Sequence, residues 1–365
     1  MLPYFLIFLC FLIAAFKDSS NTQMGWYYFL FFAASIMTGI RDMIGGFDVY
    51  IYGEIYEVST AVLLTFDPIE IGFRYLYAFL KLFNDNRHFM FFVMAFILFF
   101  FQFRIYKKYS PLLLLSLFIF FCKFFLMSFV YLRQGTAMGL VTLAIPYALN
   151  KKYIPYFIIT ITAFFIHKSS IFFLPFIFLA NRNFSNLQMF IMIATTMIIA
   201  VTPLNNALFG FLAETSGDAK AEMYVNQSTG VNIFYFMELL VVAVILIAYK
   251  EEFYKTPTSR MIANGLLSYI LVTLLSVTNA SFIRFGWYYL PFFILGITYF
   301  ISFQMNRTSL RLFKSVLLLY FSLLFFRLLI LYDDGDLMPY KTVFEDYERG
   351  GKFEFMEYRD RLKKQ

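Results

Sequence analysis

Phe129-Val130-Tyr131-Leu132-Arg133-Gln134-Gly135-Thr136-Ala137-Met138-Gly139-Leu140 lies inside an otherwise apolar run. Arginine at the centre of a membrane helix costs roughly 2.5–3.5 kcal/mol on insertion scales, and less where it reaches an interface. Two roles fit Arg133. It snorkels from a helix end, or its rigid five-donor fork holds a phosphate or carboxylate. Gly135 and Gly139, four apart, bare one helix face, so a neighbouring helix or a lipid-linked ligand can come close.

Composition sets the context. The 365 residues are 61% hydrophobic and 22% aromatic, with only 15% charged. Apolar runs of about 17–20 residues recur, which makes the chain an all-α, polytopic membrane protein. Helical segments are expected at 2–16, 24–40, 89–105, 111–128, 131–149, 153–167, 169–180, 187–204, 231–249, 261–278, 285–303 and 312–332, about twelve spans. Residues 2–16 read as a retained first helix, having neither a basic n-region nor a small-residue cleavage site. Residues 1–332 then form one transmembrane domain with an amphipathic external segment over 41–88 and a polar external loop over 205–230. Residues 333–365 form a charged external tail.

Positive residues orient it. Lys17, Arg104, Lys107, Lys108, Lys151, Lys152, Arg182, Lys250, Lys255, Arg260, Arg307, Arg311 and Lys314 fall in short turns, which are therefore cytoplasmic. Arg41, Asp48, Glu70, Arg74, Arg133, His167, Lys168 and Arg284 then gather at or near external helix ends. The net charge of +7 resides mostly in short loops and is no nucleic-acid signature. Cys10 and Cys122 form no metal or disulfide pattern. No HExxH or Walker A motif is present, which argues against an HExxH-type metal site and ATP-driven transport. The loops are too short for a soluble catalytic domain, so any chemistry happens at the membrane surface.

Each polar motif has a structural and a functional role open to it. Gly45-Gly46 breaks the chain before Asp48 and Tyr52, which share a helix face, and Arg41 either pairs with Asp48 or faces a ligand. Asp67-Pro68-Ile69-Glu70 is a helix start in which Asp67 caps and Glu70 is the capping-box acid. Glu70 and Arg74 also have salt-bridge spacing. His167-Lys168 interrupts an apolar run, as a structural hydrogen-bonding break or as part of a site. Trp287, Tyr288 and Tyr289 suit an interfacial belt, where Arg284 snorkels or supplies a second fork.

The order Arg41…Gly46-Phe47-Asp48…Tyr52, Glu70…Phe73, Leu132-Arg133-Gln134…Ala137, Lys151-Lys152 and Phe165-Ile166-His167-Lys168-Ser169 resembles the EpsG-like branch of the Wzy-type polysaccharide polymerases. Arg284 and Pro339-Tyr340-Lys341 are similar too. The resemblance covers most of residues 39–180. It implies a GT-C-like integral membrane glycosyltransferase in the bacterial inner membrane. Such an enzyme joins undecaprenyl-diphosphate-linked oligosaccharide repeat units into O-antigen, capsule or exopolysaccharide at the outer face. It uses no metal or cofactor, and a separate co-polymerase is a potential partner. The needs of that reaction nominate Arg133, Arg284 and Arg41, with Lys168 and Arg74, for the diphosphate. His167, Asp48 or Glu70 would be the base, with His167 first and its ring oriented by Asp48. Gln134, Tyr52 and Trp287 would meet the glycan, held in a wide cleft between the 41–88 segment and the tail. A ligase using the same donor, and a flippase for it, are the competing readings.

Overall fold

The computed structural model describes residues 1–17, 23–66, 68–216, 231–279, 282–304, 306–331 and 335–356. These residues are all-α, and among them one isolated antiparallel bridge, Arg41 to Thr342, is the only β-type pairing. Every segment expected from the apolar runs is helical. In the first half these are α1 (Leu2–Phe16), α2 (Gln23–Gly39), α6 (Arg87–Tyr109), α7 (Leu113–Phe124), α8 (Leu132–Leu149) and α9 (Tyr153–Ile166). The segment expected to be external is three short helices, α3 (Phe47–Glu57), α4 (Thr60–Thr65) and α5 (Ile71–Lys81).

Among the described residues four helices are long and apolar enough to cross a membrane: Arg87–Tyr109, Pro257–Leu275, Ile283–Ser302 and Thr308–Ile330. The chain is thus a multi-pass membrane protein. Other apolar helices, such as α1 and α9, are shorter, at 15 and 14 residues. At 1.5 Å per residue they fall short of a core about 30 Å thick. The break after α9 continues as a 3₁₀ turn, Lys168–Phe173, and another, Leu126–Phe129, precedes α8.

One expectation fails in the second half. Residues 205–216 were expected inside a polar loop, but α12 (Pro203–Ser216) is helical and leaves α11 (Asn186–Val201) at 85°. Pro203 lacks an N–H to continue α11, yet suits a first helical turn. The remainder of that loop, 217–230, lies outside the described residues.

The chain divides into two compact units. The first holds Met1–Thr142, Ile161–Lys168 and Gln304–Gln365. Its core is a stack of aromatic rings: Phe11 on Phe121 at 4.3 Å and Phe121 on Phe325 at 4.9 Å. These pin α1 and the helix Arg307–Leu331 to α7. The bare face of α8 is used by a helix, not by a ligand. Leu98 of α6 packs on Gly135 and Phe101 on Gly139, where an added Cβ would meet them at 2.5 and 3.0 Å. The second unit holds Leu143–Thr160 and Ser169–Phe303. There the helix Pro257–Leu275 packs at Gly265 against Phe292. Asn264 donates to the carbonyls of Leu179, Ala180 and Arg182, satisfying the end of a short helix.

Candidate functional site

The site lies in the first unit and is built on the ends of three helices. Arg133 is in the first turn of α8, His167 directly follows α9, and Glu70 directly precedes α5. The capping role expected for Glu70 is not what the structure shows. Glu70 itself takes the N-cap position of α5, and its side chain makes no cap hydrogen bond. Asp67, the expected cap, lies outside the described residues.

The Glu70 carboxylate turns away from its own helix and bridges two others. Its Oε2 accepts from Arg133 Nη1 at 2.6 Å, and its Oε1 lies 2.8 Å from His167 Nδ1. The Lys168 backbone N–H donates to the same Oε1 at 3.3 Å. The carboxylate is 9% exposed, against 19% for Arg133 and 24% for His167. Burial alone would push the Glu70 carboxyl up. The His167 hydrogen bond, with the charges of His167 and Arg133, outweighs burial and holds it down at about 2. Glu70 is therefore a fixed negative charge between two cation-forming groups.

The approach depends on Gly72. A Cβ there would stand 2.7 Å from the Phe165 carbonyl oxygen. Its absence lets α5 cross the end of α9 closely enough for Glu70, two residues before, to reach His167, two residues after Phe165.

Tyr52 of α3 completes the cluster. Its hydroxyl accepts from Arg133 Nε at 3.0 Å, and the guanidinium stands 5.6 Å from its ring centre. Burial raises the phenol, so its O–H stays protonated. Among the described residues Arg133 Nη2 makes no hydrogen bond, leaving that arm of the fork for a ligand. Arg133 is thus paired with both Glu70 and Tyr52.

The other expected residues are placed differently. Arg41 is fully buried. Its Nε and Nη2 donate to the carbonyls of Ile44 and Phe129 at 2.9 and 2.8 Å, and its Nη1 donates to that of Thr38. Its guanidinium stands 4.7 and 5.2 Å from the ring centres of Phe91 and Phe129. With its donors committed to carbonyls and no surface exposed, Arg41 braces the frame, and it forms no pair with Asp48. Asp48 is half-buried in the first turn of α3, and Glu70, not Asp48, holds the His167 ring. Arg74 is buried with Nη1 on the Leu64 carbonyl at 2.6 Å, and Gln134 is buried too. Lys168 has an exposed side chain. Arg284 and Trp287 belong to the second unit, half-buried in the 3₁₀ helix Ile283–Tyr289. In that unit Ser169 and Tyr288 hydroxyls meet at 2.9 Å, a pair the sequence did not signal.

The expected cleft against the tail is closed where the two meet. Asp42 N–H donates to the Lys341 carbonyl, Val343 N–H to that of Ile40, and Gly45 N–H to that of Asp336, all at 2.9–3.0 Å. Lys341 Nζ also pairs with Asp42 at 2.8 Å. The tail is stitched to the break after α2 at these points. Among the described residues no group of three or more His, Cys, Asp and Glu side chains gathers.

The family model that matches the chain is that of the EpsG family, over residues 24–342. No curated protein and no solved structure matches it.

Proposed function

The chain belongs to the EpsG family, and on that premise we propose that it is a polysaccharide polymerase. It extends oligosaccharide repeat units carried on undecaprenyl diphosphate at the outer face of the bacterial inner membrane. The observation that carries this reading is the Glu70 carboxylate bridging Arg133 and His167.

In the proposed reaction an acceptor sugar hydroxyl attacks the anomeric carbon of the growing chain. The bond from that carbon to the lipid diphosphate breaks. His167 takes the hydroxyl proton, and Glu70, 2.8 Å from the ring, offsets the imidazolium charge and fixes the ring's orientation. The departing diphosphate gains negative charge, which the open arm of Arg133 meets. Tyr52 holds the Arg133 fork in place and keeps an O–H for a sugar or phosphate oxygen. Lys168 is the further cation proposed for the diphosphate. The reading keeps a metal-independent, GT-C-like enzyme of about twelve membrane segments, the shorter apolar helices matched by local thinning of the bilayer.

The test uses purified protein in nanodiscs with lipid-linked repeat units, scored as a ladder of extended chains. His167→Gln is expected to slow extension by about 10²- to 10⁴-fold. Arg133→Lys is expected to fail as well, because an ammonium cannot serve Tyr52, Glu70 and a phosphate at once. Wild-type ladders from both folded variants would overturn the assignment.

A further inference from the structure

The external helix α5 is turned inside out. Its charged and polar side chains face the protein. Arg74 is buried on the Leu64 carbonyl, and Lys81, its side chain 7% exposed, donates to the carbonyls of Tyr56 and Val58 at 2.7 Å each. Phe73, Tyr77 and Leu80 share that buried side. The opposite stripe is large and apolar, yet open. Ile71 is 45% exposed, Tyr75 59%, Phe79 56%, Leu82 79% and Phe83 67%. Spacing of three and four residues puts these side chains on one face, running past the end of the helix. A helix meeting water would show the reverse arrangement. A contiguous apolar stripe of this kind marks a surface that another apolar phase covers.

The bilayer is that phase by continuity. Leu82 and Phe83 stand a few residues before Arg87, the first residue of a 23-residue helix long and apolar enough to cross the membrane. The membrane boundary at that end of α6 therefore lies beside the end of α5. With 11 residues, α5 is about 16 Å long, too short to cross. A short helix with a strongly apolar face and its charges opposite lies in the interface plane.

We propose that α5 is an in-plane membrane helix whose outer stripe, Ile71, Tyr75, Phe79, Leu82 and Phe83, is seated in the lipid of the leaflet nearest the site. One consequence rests on the polymerase reading. Glu70 is the residue before α5, so the Glu70–Arg133–His167 cluster sits at headgroup level, the depth at which the diphosphate of a lipid-anchored donor lies.

The experiment places nitroxides at Tyr75→Cys and Phe79→Cys, with Asp85→Cys as the solvent reference, since Asp85 is 77% exposed by its side chain. Cys10 and Cys122 are replaced by Ala in this background. The protein is reconstituted in liposomes without lipid-linked donor, so no substrate tail can occupy the stripe. Collisions with oxygen are expected to exceed those with a nickel chelate several-fold at 75 and 79, and the ratio should invert at 85. Chelate-favoured collisions at 75 and 79 would mean the stripe faces water and would overturn the proposal. Protection from both reagents, with broadening between labels, would mean a second copy covers it and would equally overturn it. If a labelled variant does not assemble, Phe79→Trp, with Trp26 and Trp287 replaced by Phe, is quenched by brominated acyl chains when the proposal holds, and unquenched when it fails. No arm requires turnover, so the outcome is independent of whether the polymerase reading stands.

Discussion

Glu70→Gln isolates the charge that the site is built around. The side chain keeps its size and loses its negative charge between Arg133 Nη1 at 2.6 Å and His167 Nδ1 at 2.8 Å. Two routes give the magnitude. The carboxyl sits at about 2 instead of 4.5, and at 1.36 kcal/mol per unit that is roughly 3 kcal/mol of preference for the charged form. Coulomb's law for unit charges about 4 Å apart, at an effective dielectric near 20, gives about 4 kcal/mol. Both fall near the 3–5 kcal/mol range known for stripping one partner from a buried pair.

Only the share of that energy that faces His167 belongs to the transition state, where the ring has taken the hydroxyl proton; the share that faces Arg133 is present at rest as well. The rate loss is therefore expected to reach at most roughly 10²-fold. The assay is single-turnover extension of lipid-linked repeat units by folded, purified protein, with Glu70→Asp expected to recover part of the rate. The double variant Glu70→Gln/His167→Gln should be no slower than the worse single, because residues acting as one unit do not add. Losses that multiply would show that the two side chains act separately. Turnover of Glu70→Gln within a few-fold of wild type would refute the dyad outright.

Gly72→Ala is expected to slow extension without unfolding the protein, by pushing α5 off the Phe165 carbonyl. Slowing that persists in the Glu70→Gln background would assign Gly72 to some other role. Arg41→Met should lower thermal stability by several kcal/mol, since it strips the carbonyls of Thr38, Ile44 and Phe129 of their donor, while Arg41→Lys that folds should keep its rate per molecule. A folded Arg41→Lys that has lost turnover would return Arg41 to the ligand-facing set. A pH series checks Glu70 independently, because its folded carboxyl is depressed. Its stabilisation is fully present above about 4.5 and is lost as pH falls toward 2. The stability gap between wild type and Glu70→Gln should therefore be flat from neutral pH to about 5 and shrink below 4.5.

The helices were legible because a bilayer demands long apolar runs, and the runs are there. Arg133 and His167 were legible for the same reason inverted, as costly residues inside such runs. Their partner was not. Glu70 is 63 positions from Arg133 and 97 from His167, and no local pattern reports contacts at that range. Its neighbours Asp67 and Pro68 spell a helix start, but α5 begins at Ile71 with Glu70 in the N-cap position, and the Glu70 side chain is used elsewhere. Arg41 misled for a related reason. A guanidinium beside a Gly-Gly turn reads as ligand-facing, whereas the number of carbonyls the turn leaves open is visible only in three dimensions. The amphipathic character of the 41–88 segment was plain, but periodicity alone does not tell which face of α5 is inside.

Backbone accounting explains why the polar residues cluster at helix ends. A chain that breaks helix within reach of lipid must satisfy the freed groups from protein. Arg41 does so for the carbonyls of Thr38 in the last turn of α2, of Ile44 after it and of Phe129 before α8. Glu70 does so for the Lys168 N–H after α9. The breaks therefore require polar side chains whether or not any reaction occurs there. What separates a site from a frame is donor capacity left over. Arg41 has its Nε and both terminal nitrogens on carbonyls, while Arg133 keeps Nη2 and Tyr52 keeps its O–H. A polar substitution at Arg41 should thus be read out as stability, and one at Arg133 as rate, although both are arginines in apolar surroundings and look alike in the sequence.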